Sequence, residues 1–389
     1  MTLLIALILA PFTLLTICFA IEVFVGLVPL PRRIFAESDG SAVIVVPAHD
    51  EELGLRLTLR HLKGELGAHV RILVVADNCV DSTAQVAKEQ GVELIERLDA
   101  VRKGKGFALD FARSHLMNDP PQVVVIVDAD CTMDARSLMN LIGACEASER
   151  PCQAINLQKP NYEASPAVQL STFAFFIKNV VRQRALQRLA RRVNLLGTGM
   201  AFPWPIFAEA SLATNSIVED LKLGQELALA GHAPLLVEDA NVWSKAETKR
   251  NTLSQRRRWE GGFLQTAMRV GPPMFWRSLI RIDAPGVWAG IHLMIPPFAL
   301  LILLDVVGLI LATGSSLVTG TALWPVLVLA VGLIFAFVAL ACAWCAGGSR
   351  FVSLAALTRA PFYVLWKLPM YIAFARAGMP QEWQRTERE

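Results

Sequence analysis

The sequence predicts an α/β protein with a mostly parallel, doubly wound sheet, combined with transmembrane and interfacial helices. Between residues 41 and 130, short apolar and β-branched segments alternate with helical patterns. Repeated βαβ units of this kind form parallel sheets. Apolar segments long enough to cross a bilayer lie towards both ends of the chain. With 54% hydrophobic and 18% charged residues, the protein is more apolar than an ordinary soluble one.

The middle of the chain is predicted to form one domain over residues 40–265. Its first strand runs into Pro47-Ala48-His49-Asp50-Glu51, so the glycine-rich cradle of a dinucleotide-binding domain is absent. Any nucleotide would therefore be bound by carboxylates and loop backbone. Ser82 is predicted to begin a helix and Gly91 to end it. The predicted strands are 42–46, 71–76, 92–96 and 123–127, and the predicted helices are 53–66, 82–90 and 106–116.

The two ends of the chain predict a multi-pass membrane protein. Residues 1–31 fit a signal-anchor helix, since the apolar segment is too long for a cleaved signal peptide and no basic residue precedes it. Residues 287–346 contain two candidate spans, 287–312 and 322–346, joined by the uncharged connector 313–321. Arginines flank the spans on one side only, which places residues 32–281 in the cytoplasm. The flanking arginines are Arg32, Arg33, Arg277, Arg281, Arg350 and Arg359.

Other segments are predicted to lie at the membrane surface. Residues 165–195 alternate aromatic and basic side chains, which is typical of an amphipathic helix on an anionic cytoplasmic leaflet. Residues 266–284 are predicted to be an interfacial linker. Residues 350–378 are interrupted by prolines and basic residues, which favours interfacial or re-entrant helices, and 379–389 form a cytoplasmic tail. A net charge of +3 gives no indication of nucleic-acid binding.

Three short motifs carry the candidate chemistry. Asp128-Ala129-Asp130 follows a buried strand, where open α/β sheets bind ligands. Two carboxylates there can hold Mg²⁺ or Mn²⁺, and the cation can bridge to a diphosphate. We expect Asp130 to be the main metal ligand, with Asp128 supporting the metal or a ribose. The alternative for Asp130, a helix N-cap, suits Asp134 better.

The second motif, Glu219-Asp220, supplies two candidate catalytic residues, with Asp220 as the general base. The triplet Val237-Glu238-Asp239 repeats the pattern, but a strand-like segment follows it, so Asp239 is predicted to be structural. The third motif provides Gln255, Arg258 and Trp259. An arginine there can bind diphosphate, and the indole can stack on a sugar or anchor in headgroups. Gly197-Thr198-Gly199 is a weaker candidate for a flexible loop on the acceptor side.

The chain resembles membrane-embedded family 2 glycosyltransferases, because five motifs occur in the order of that family's signature. They are Val46–Glu51, Ala76–Asp81, Asp128–Asp130, Val218–Asp220 and Gln255–Trp259. These inverting enzymes of the GT-A fold include cellulose, hyaluronan and chitin synthases and ceramide glucosyltransferases. The resemblance covers residues 40–265 and departs from the family pattern at Ala76, where an aspartate is common. It implies that Asp77 contacts the uracil edge, although an Asx turn is the alternative, and for Asp81 both interpretations stay open. The nucleotide-sugar-binding residues it implies are Pro47, Ala48, Glu51, Asp77, Lys105, Asp128 and Asp130.

Together these features predict an inner-membrane enzyme that transfers a sugar, with inversion, from a UDP-sugar to a hydroxyl of a lipid or lipid-linked acceptor. A processive polysaccharide synthase is the main alternative. About three largely uncharged spans are few to enclose a secretion channel, which favours a single transfer. A transporter is poorly supported because no inverted repeat is visible. A non-catalytic nucleotide-binding protein would leave Asp220 without a role.

Overall fold

The computed structural model describes residues 1–32, 40–64, 67, 69–245 and 249–378, with backbone alone for 249–255. It divides into two compact units. The sheet unit comprises Pro29–Lys159 and Arg191–Ala246, and the helical unit comprises Met1–Val28, Pro160–Ala190 and Glu247–Met379. The predicted tail 379–389 lies outside the described residues.

The described helices alternate between these units along the chain. They are α1 (Thr2–Gly26), α2 (Glu52–Leu62), α3 (Thr83–Glu89), α4 (Lys105–Leu116), α5 (Ala135–Ser148), α6 (Pro166–Phe176), α7 (Arg182–Ala190), α8 (Trp204–Glu209), α9 (Glu219–Leu229), α10 (Lys249–Ile280), α11 (Ala284–Met294), α12 (Phe298–Thr319), α13 (Trp324–Cys345), α14 (Leu354–Leu357) and α15 (Ala360–Ala377).

An eight-stranded mixed sheet organises the sheet unit in the order β3-β2-β1-β4-β7-β6-β8-β5. The first four strands in sequence are parallel, which confirms the predicted α/β class. The pairings β4–β7, β6–β7 and β5–β8 are antiparallel. The strands are β1 (Ala42–Ala48), β2 (Val70–Asp77), β3 (Glu93–Arg97), β4 (Val123–Ile126), β5 (Cys131–Met133), β6 (Cys152–Gln158), β7 (Met200–Pro203) and β8 (Leu235–Ser244).

Both faces of the sheet are covered by helices, because alternate strand residues point to opposite faces. Ile44 and Val46 belong to a core shared with α2, α3 and α5. Val43 and Val45 belong to a second core shared with α4, α8 and α9. Strand order reverses between β1 and β4. The carboxyl ends of these strands therefore form the switch point at which open α/β sheets bind ligands.

Three helices of the helical unit, α1, α12 and α13, are long and apolar enough to cross a membrane. Their bounds correct the expected spans. The span expected from residue 287 begins instead at Phe298, because Pro296-Pro297 forces Ile295 into an extended conformation and separates α11 from α12. The connector expected over 313–321 is helical through Thr319.

One other expected surface segment also differs. The linker expected at 266–284 is mostly the second half of α10, which continues through Pro272-Pro273 to Ile280. A short 3₁₀ turn (Gly348–Arg350) precedes the helices α14 and α15, which occupy most of residues 350–378. Among the described helices, α15 is not one of those long and apolar enough to span a bilayer.

Residues 165–195 are largely buried in protein, whereas the sequence predicted a helix on the membrane surface. A π-helical turn (Ile177–Val181) joins α6 to α7. The Arg182 Nε donates a 2.6 Å hydrogen bond to Glu22 Oε2 of α1, and both side chains are buried. His292 Nδ1 lies 2.7 Å from the other oxygen of Glu22. A carboxylate of α1 therefore neutralises a basic side chain that the sequence assigned to lipid headgroups, as buried charges require.

Candidate active site

The Asp128-Ala129-Asp130 motif occupies the tight turn between β4 and β5. Its fold is fixed by backbone contacts: the Cys131 N–H donates to the Asp128 carbonyl at 3.0 Å, and the Asp128 N–H donates to Thr198 Oγ1 at 3.1 Å. The predicted N-cap role of Asp134 is confirmed, since its carboxylate accepts from the Ser137 N–H at 2.8 Å. The turn presents two carboxylates at the carboxyl end of the central strand.

The donor atoms of Asp128, Asp130 and Cys131 lie within 4.8 Å of one another, close enough to surround one cation. Burial, followed by the charges of Asp130 and Asp128, raises the pKa of the Cys131 thiol well above its ordinary value. The thiol stays protonated and donates to Asp130 Oδ1 at 3.6 Å. The two carboxylates remain as the oxygen ligands. This donor set fits Mg²⁺ or Mn²⁺ better than a thiophilic metal.

Lys105, the first residue of α4, reaches into this acidic group. Its Nζ donates to an Asp128 carboxylate oxygen and, at 2.7 Å, to the Gly197 carbonyl. Burial alone lowers the pKa of Lys105, but the negative charge of Asp128, followed by the acidic groups of α9, raises it above the ordinary value overall. The Lys105 ammonium is therefore charged at neutral pH and lies among these acidic side chains.

The Gly197-Thr198-Gly199 loop is buried and adjoins the same group, in contrast to the flexible loop that the sequence suggested. Gly197 has a φ of +87°, and a Cβ there would lie 3.3 Å from Asp220 Oδ2. The Gln153 Nε2 donates to the Thr198 carbonyl at 2.9 Å, which holds the loop against β6. The loop therefore brings Asp220 towards Lys105 and Asp128.

Glu219 and Asp220 form the first turn of α9. Burial and the neighbouring charge of Asp220 raise the pKa of Glu219 to about 8. Asp220 Oδ1 accepts from the Leu221 N–H at 2.8 Å, and its position at a helix N-terminus favours a negative charge. The environment thus disfavours the ionisation of Glu219 beside Asp220.

The rival Asp239 lies in a different setting, inside β8. The register of β6 and β8 shifts there, since Ala154 pairs with Val237 and Ile155 with Asn241. The Asp239 carboxylate lies 3.1 Å from Arg32 Nε, and its carbonyl accepts from the Asn140 amide at 2.9 Å. Asp239 therefore makes these contacts at the irregular part of β8.

Asp77 is held by Arg97, a residue that the sequence reading missed. The Arg97 Nη1 donates to Asp77 Oδ1 at 2.6 Å, and the Asn78 amide donates to the same oxygen at 2.9 Å. Both partners of the ion pair are buried. Asp77 ends β2 and Arg97 ends β3, and they are register partners in these parallel strands. Because β2 and β3 are parallel neighbours, their last residues lie side by side, and this relationship would have identified Arg97.

The segment after β1 interlocks with the turn after β2. The Ala48 carbonyl accepts from Cys79 Sγ at 3.4 Å, and the Glu51 N–H donates to Thr83 Oγ1 at 2.7 Å. Pro47 pairs in register with Val75 of β2. Asp81 Oδ1 accepts from the Thr83 N–H at 2.9 Å. This is the turn-forming role that the sequence left open for Asp81.

Arg258 and Trp259 belong to the helical unit, on α10, and are half-buried. The guanidinium of Arg256 lies 5.6 Å from the Trp259 ring centroid, and the Phe175 ring lies 6.1 Å from it. The Gln255 side chain lies outside the described part of the structure. The third motif is thus on a different unit from the carboxylates.

Comparison with protein-family models identifies the family to which the chain belongs. A model described as glycosyltransferase like family 2 matches residues 40–262, more than half of the chain. The protein belongs to this glycosyltransferase family. The matched residues include all three motifs, and the mixed sheet is the GT-A fold that the resemblance implied.

A solved glycosyltransferase shares the fold at low sequence identity. A mannosyltransferase from Pyrobaculum calidifontis, solved in complex with GDP-Man and Mn²⁺, is 18% identical, with a TM-score of 0.55 over 95% of this chain and 94% of that one. Glucosyl-3-phosphoglycerate synthase from Mycobacterium tuberculosis, solved with Mn²⁺, UDP and glucosyl-3-phosphoglycerate, is 16% identical, with a TM-score of 0.41 over 60% of this chain and 81% of that one.

A curated relative matches a shorter region. An uncharacterized protein of Methanocaldococcus jannaschii is 33% identical over 87 residues, which is 22% of this chain. The match spans about a third of that relative, 34% of its length.

Proposed function

We propose that this glycosyltransferase moves a sugar, with inversion, from a nucleotide-diphosphate sugar to a hydroxyl of a membrane lipid or lipid-linked acceptor. The observation that carries the proposal is the meeting of Asp128, Lys105, Gly197 and Asp220 beside the end of β4. It brings together a cation-binding pair, a fixed ammonium and a carboxylate at a helix N-terminus. The described part of the chain also contains three helices long enough to cross a membrane.

The donor's diphosphate is assigned to Asp128, Asp130 and Lys105. Asp128 and Asp130 are the residues that would hold Mg²⁺ or Mn²⁺, and such a cation, when bound, neutralises charge on the leaving nucleotide diphosphate. Lys105 supplies a further positive charge that is already in place before the donor arrives. Fixed charges of this kind need no reorganisation as the bond to the leaving group breaks.

Asp220 is assigned as the general base. The acceptor hydroxyl transfers its proton to the Asp220 carboxylate while its oxygen forms the bond to the anomeric carbon. The bond from that carbon to the diphosphate oxygen breaks on the opposite face, and its electron pair leaves with the nucleotide. Displacement from the opposite face inverts the anomeric configuration. Glu219, which keeps its proton at neutral pH, adds no second charge against the diphosphate.

We assign a membrane-associated acceptor because the third motif belongs to the same unit as the membrane-length helices. Gln255, Arg258 and Trp259 lie on α10 in the unit that contains α1, α12 and α13. An arginine can bind an acceptor phosphate or the diphosphate, and an indole can hold a sugar or headgroup. Three spans that are mostly apolar favour one transfer over a secreted polymer, with a processive synthase as the second candidate. Residues 32–281 are proposed to face the cytoplasm, at a bacterial inner membrane.

Two donor nucleotides are candidates. We retain UDP as the first candidate from the motif resemblance, with Asp77, Pro47, Ala48 and Glu51 around the base and ribose. GDP is the second, because the full-length fold match is a mannosyltransferase solved with GDP-Man.

A nucleotide-release screen tests the proposal. Detergent-purified protein is supplied with UDP- and GDP-sugars, with and without polar lipids extracted from bacterial membranes, and the product's anomeric configuration is read by NMR. We expect lipid-stimulated release from one donor class and an inverted product. Release of a long glycan would favour the processive candidate. Donor binding without any transfer, under all conditions, would exclude catalysis.

A further inference from the structure

Two buried charged side chains flank Arg258 and Trp259 on α10. Arg256 and Glu260 are 6% and 7% exposed, respectively. They are four residues apart, so they lie on the same face of the helix. Arg257 between them is exposed, and Arg258 and Trp259 are half-buried. The turn that carries the third motif is therefore anchored on one side by a pair of charges.

Arg256 is held by α6. Its Nε donates to Ser171 Oγ at 2.9 Å, and its Nη2 donates to the Ser171 carbonyl at 2.8 Å. Phe175, one helical turn further along α6, contacts the Trp259 ring, which also lies beside the Arg256 guanidinium. Arg256 and Phe175 therefore hold the Trp259 indole directly.

Glu260 is held by α15, near the other end of the chain. Lys367 Nζ donates to Glu260 Oε1, and the Tyr371 hydroxyl donates to Glu260 Oε2 at 2.7 Å. Lys367 is 3% exposed, and its ammonium lies 5.0 Å from the Tyr363 ring centroid. Both carboxylate oxygens therefore have a donor from one helix.

Helix packing alone does not require these charges. Met370, Tyr371 and Phe374 of α15 already form an apolar cluster with Leu264 of α10. Buried ion pairs give little net stability compared with apolar side chains of similar size. Their directional hydrogen bonds, however, restrict the rotation and sliding of one helix on another, which apolar contacts permit.

We propose that Lys367 and Tyr371 are positioning residues for the transfer reaction. Through Glu260, α15 sets the orientation of the α10 turn that presents Arg258 and Trp259 to the acceptor. The inference rests on the proposed function and takes its acceptor option for Arg258, together with Trp259. A displacement of about 1 Å at such a site can lower turnover by as much as about 10²-fold.

Three variants of the full-length protein test the inference: Lys367→Met, Tyr371→Phe and Lys367→Arg. Each is assayed for thermal unfolding, nucleotide binding, nucleotide release without lipid, and release with mixed micelles of extracted polar lipids. We expect Lys367→Met to lower lipid-dependent kcat/KM at least about tenfold. Nucleotide Kd and lipid-independent release should stay within about twofold. Tyr371→Phe should show a smaller loss, and Lys367→Arg should recover most of the activity.

Thr16→Val provides the matched control, because Thr16 Oγ1 donates to buried Asp305 at 2.6 Å elsewhere in the helical unit. It should lower the unfolding temperature without changing the lipid KM. If Lys367→Met lowers only the unfolding temperature, or lowers release with and without lipid equally, the inference is wrong. Trp259→Ala separates this failure from that of the proposed function: an unchanged lipid KM in that variant would remove the acceptor assignment itself.

Discussion

The Lys105 ammonium donates hydrogen bonds to both the Asp128 carboxylate and the Gly197 carbonyl. It thereby occupies part of the acidic site that is proposed to receive a cation and a diphosphate. We expect Lys105→Met to weaken donor binding at least about tenfold, the scale of a lost charge-assisted contact. The same variant should bind Mn²⁺ more tightly in the absence of nucleotide, because Asp128 loses a competing positive charge. Titration calorimetry measures both affinities.

Lys103→Met is the control for this charge effect, since Lys103 is exposed and lies two residues away. Neither affinity should change in that variant. Weaker Mn²⁺ binding in Lys105→Met would contradict the competition.

Asp130→Ala should abolish the response to Mg²⁺ and Mn²⁺ and lower turnover by about 10²-fold or more, since the cation contributes several kcal/mol to the departure of the diphosphate. Metal titrations of EDTA-treated protein provide the measurement. Asp134→Ala is the control: it removes the N-cap of α5 and should cost about 1 kcal/mol of stability while leaving the metal response intact. Full turnover of the unmodified protein in EDTA would rule out a metal requirement.

Asp220→Asn should lower turnover at least about 10²-fold while nucleotide binding remains, because a general base acts on the acceptor hydroxyl and not on the donor. Single-turnover assays and nucleotide Kd measurements separate these effects. Asp239→Asn removes the equivalent carboxylate of the other triplet and should affect stability more than turnover. The opposite pattern, an inactive Asp239 variant and an active Asp220 variant, would place the base on β8.

Glu219→Gln should change how stability depends on pH. In the folded protein Glu219 keeps its proton up to about pH 8, whereas its ordinary pKa is 4.5. The unfolded chain releases this proton first, so rising pH between these two values favours unfolding, and the effect levels off above the folded pKa. The unfolding temperature of the unmodified protein should therefore fall, relative to Glu219→Gln, from about pH 4.5 to about pH 8. Parallel pH profiles would show that Glu219 does not hold its proton.

The link between α12 and α13 should lie outside the cytoplasm. Because α12 continues to Thr319, an accessibility reporter belongs at Gly320, which ends the helix with a φ of 66°. A reporter there should behave as periplasmic, and one inserted at Gly231, in the sheet unit, as cytoplasmic. The same behaviour at both positions would contradict the topology.

The first half of the sheet was predictable because β1, β2 and β4 are continuous apolar segments buried on both faces. The second half was not. Strand β6 contains Gln153 and Asn156, which blur its apolar pattern. Gln153 is buried because its amide group donates to the Thr198 carbonyl and accepts from the Leu196 N–H at 2.8 Å. These partners lie more than forty residues away in sequence, so the residues of β6 alone do not show that Gln153 is buried.

The same reasoning separates the predicted site residues from the missed ones. Asp128 and Asp220 were recognised because a carboxylate beside a strand or helix end has a meaning that can be read locally. Arg97 was missed because it acts through a distant partner, Asp77. Gly197 was recognised only as part of a candidate loop, because its contact with Lys105 lies 92 residues away in sequence. The alternation of aromatic and basic residues around Arg182 was misleading, because the acidic partner, Glu22, lies 160 residues earlier.

The ion pair between Glu22 and Arg182 restricts which fragments of the enzyme can fold. The sheet unit is interrupted in sequence by Pro160–Ala190, whose Arg182 requires a carboxylate from α1. A soluble fragment of residues 40–265 would retain the buried arginine and lose its counter-charge, at a cost typical of a broken buried pair, about 3–5 kcal/mol. The N-terminal helix is therefore an internal part of the folded enzyme, and trimming it to gain solubility should yield an aggregating product.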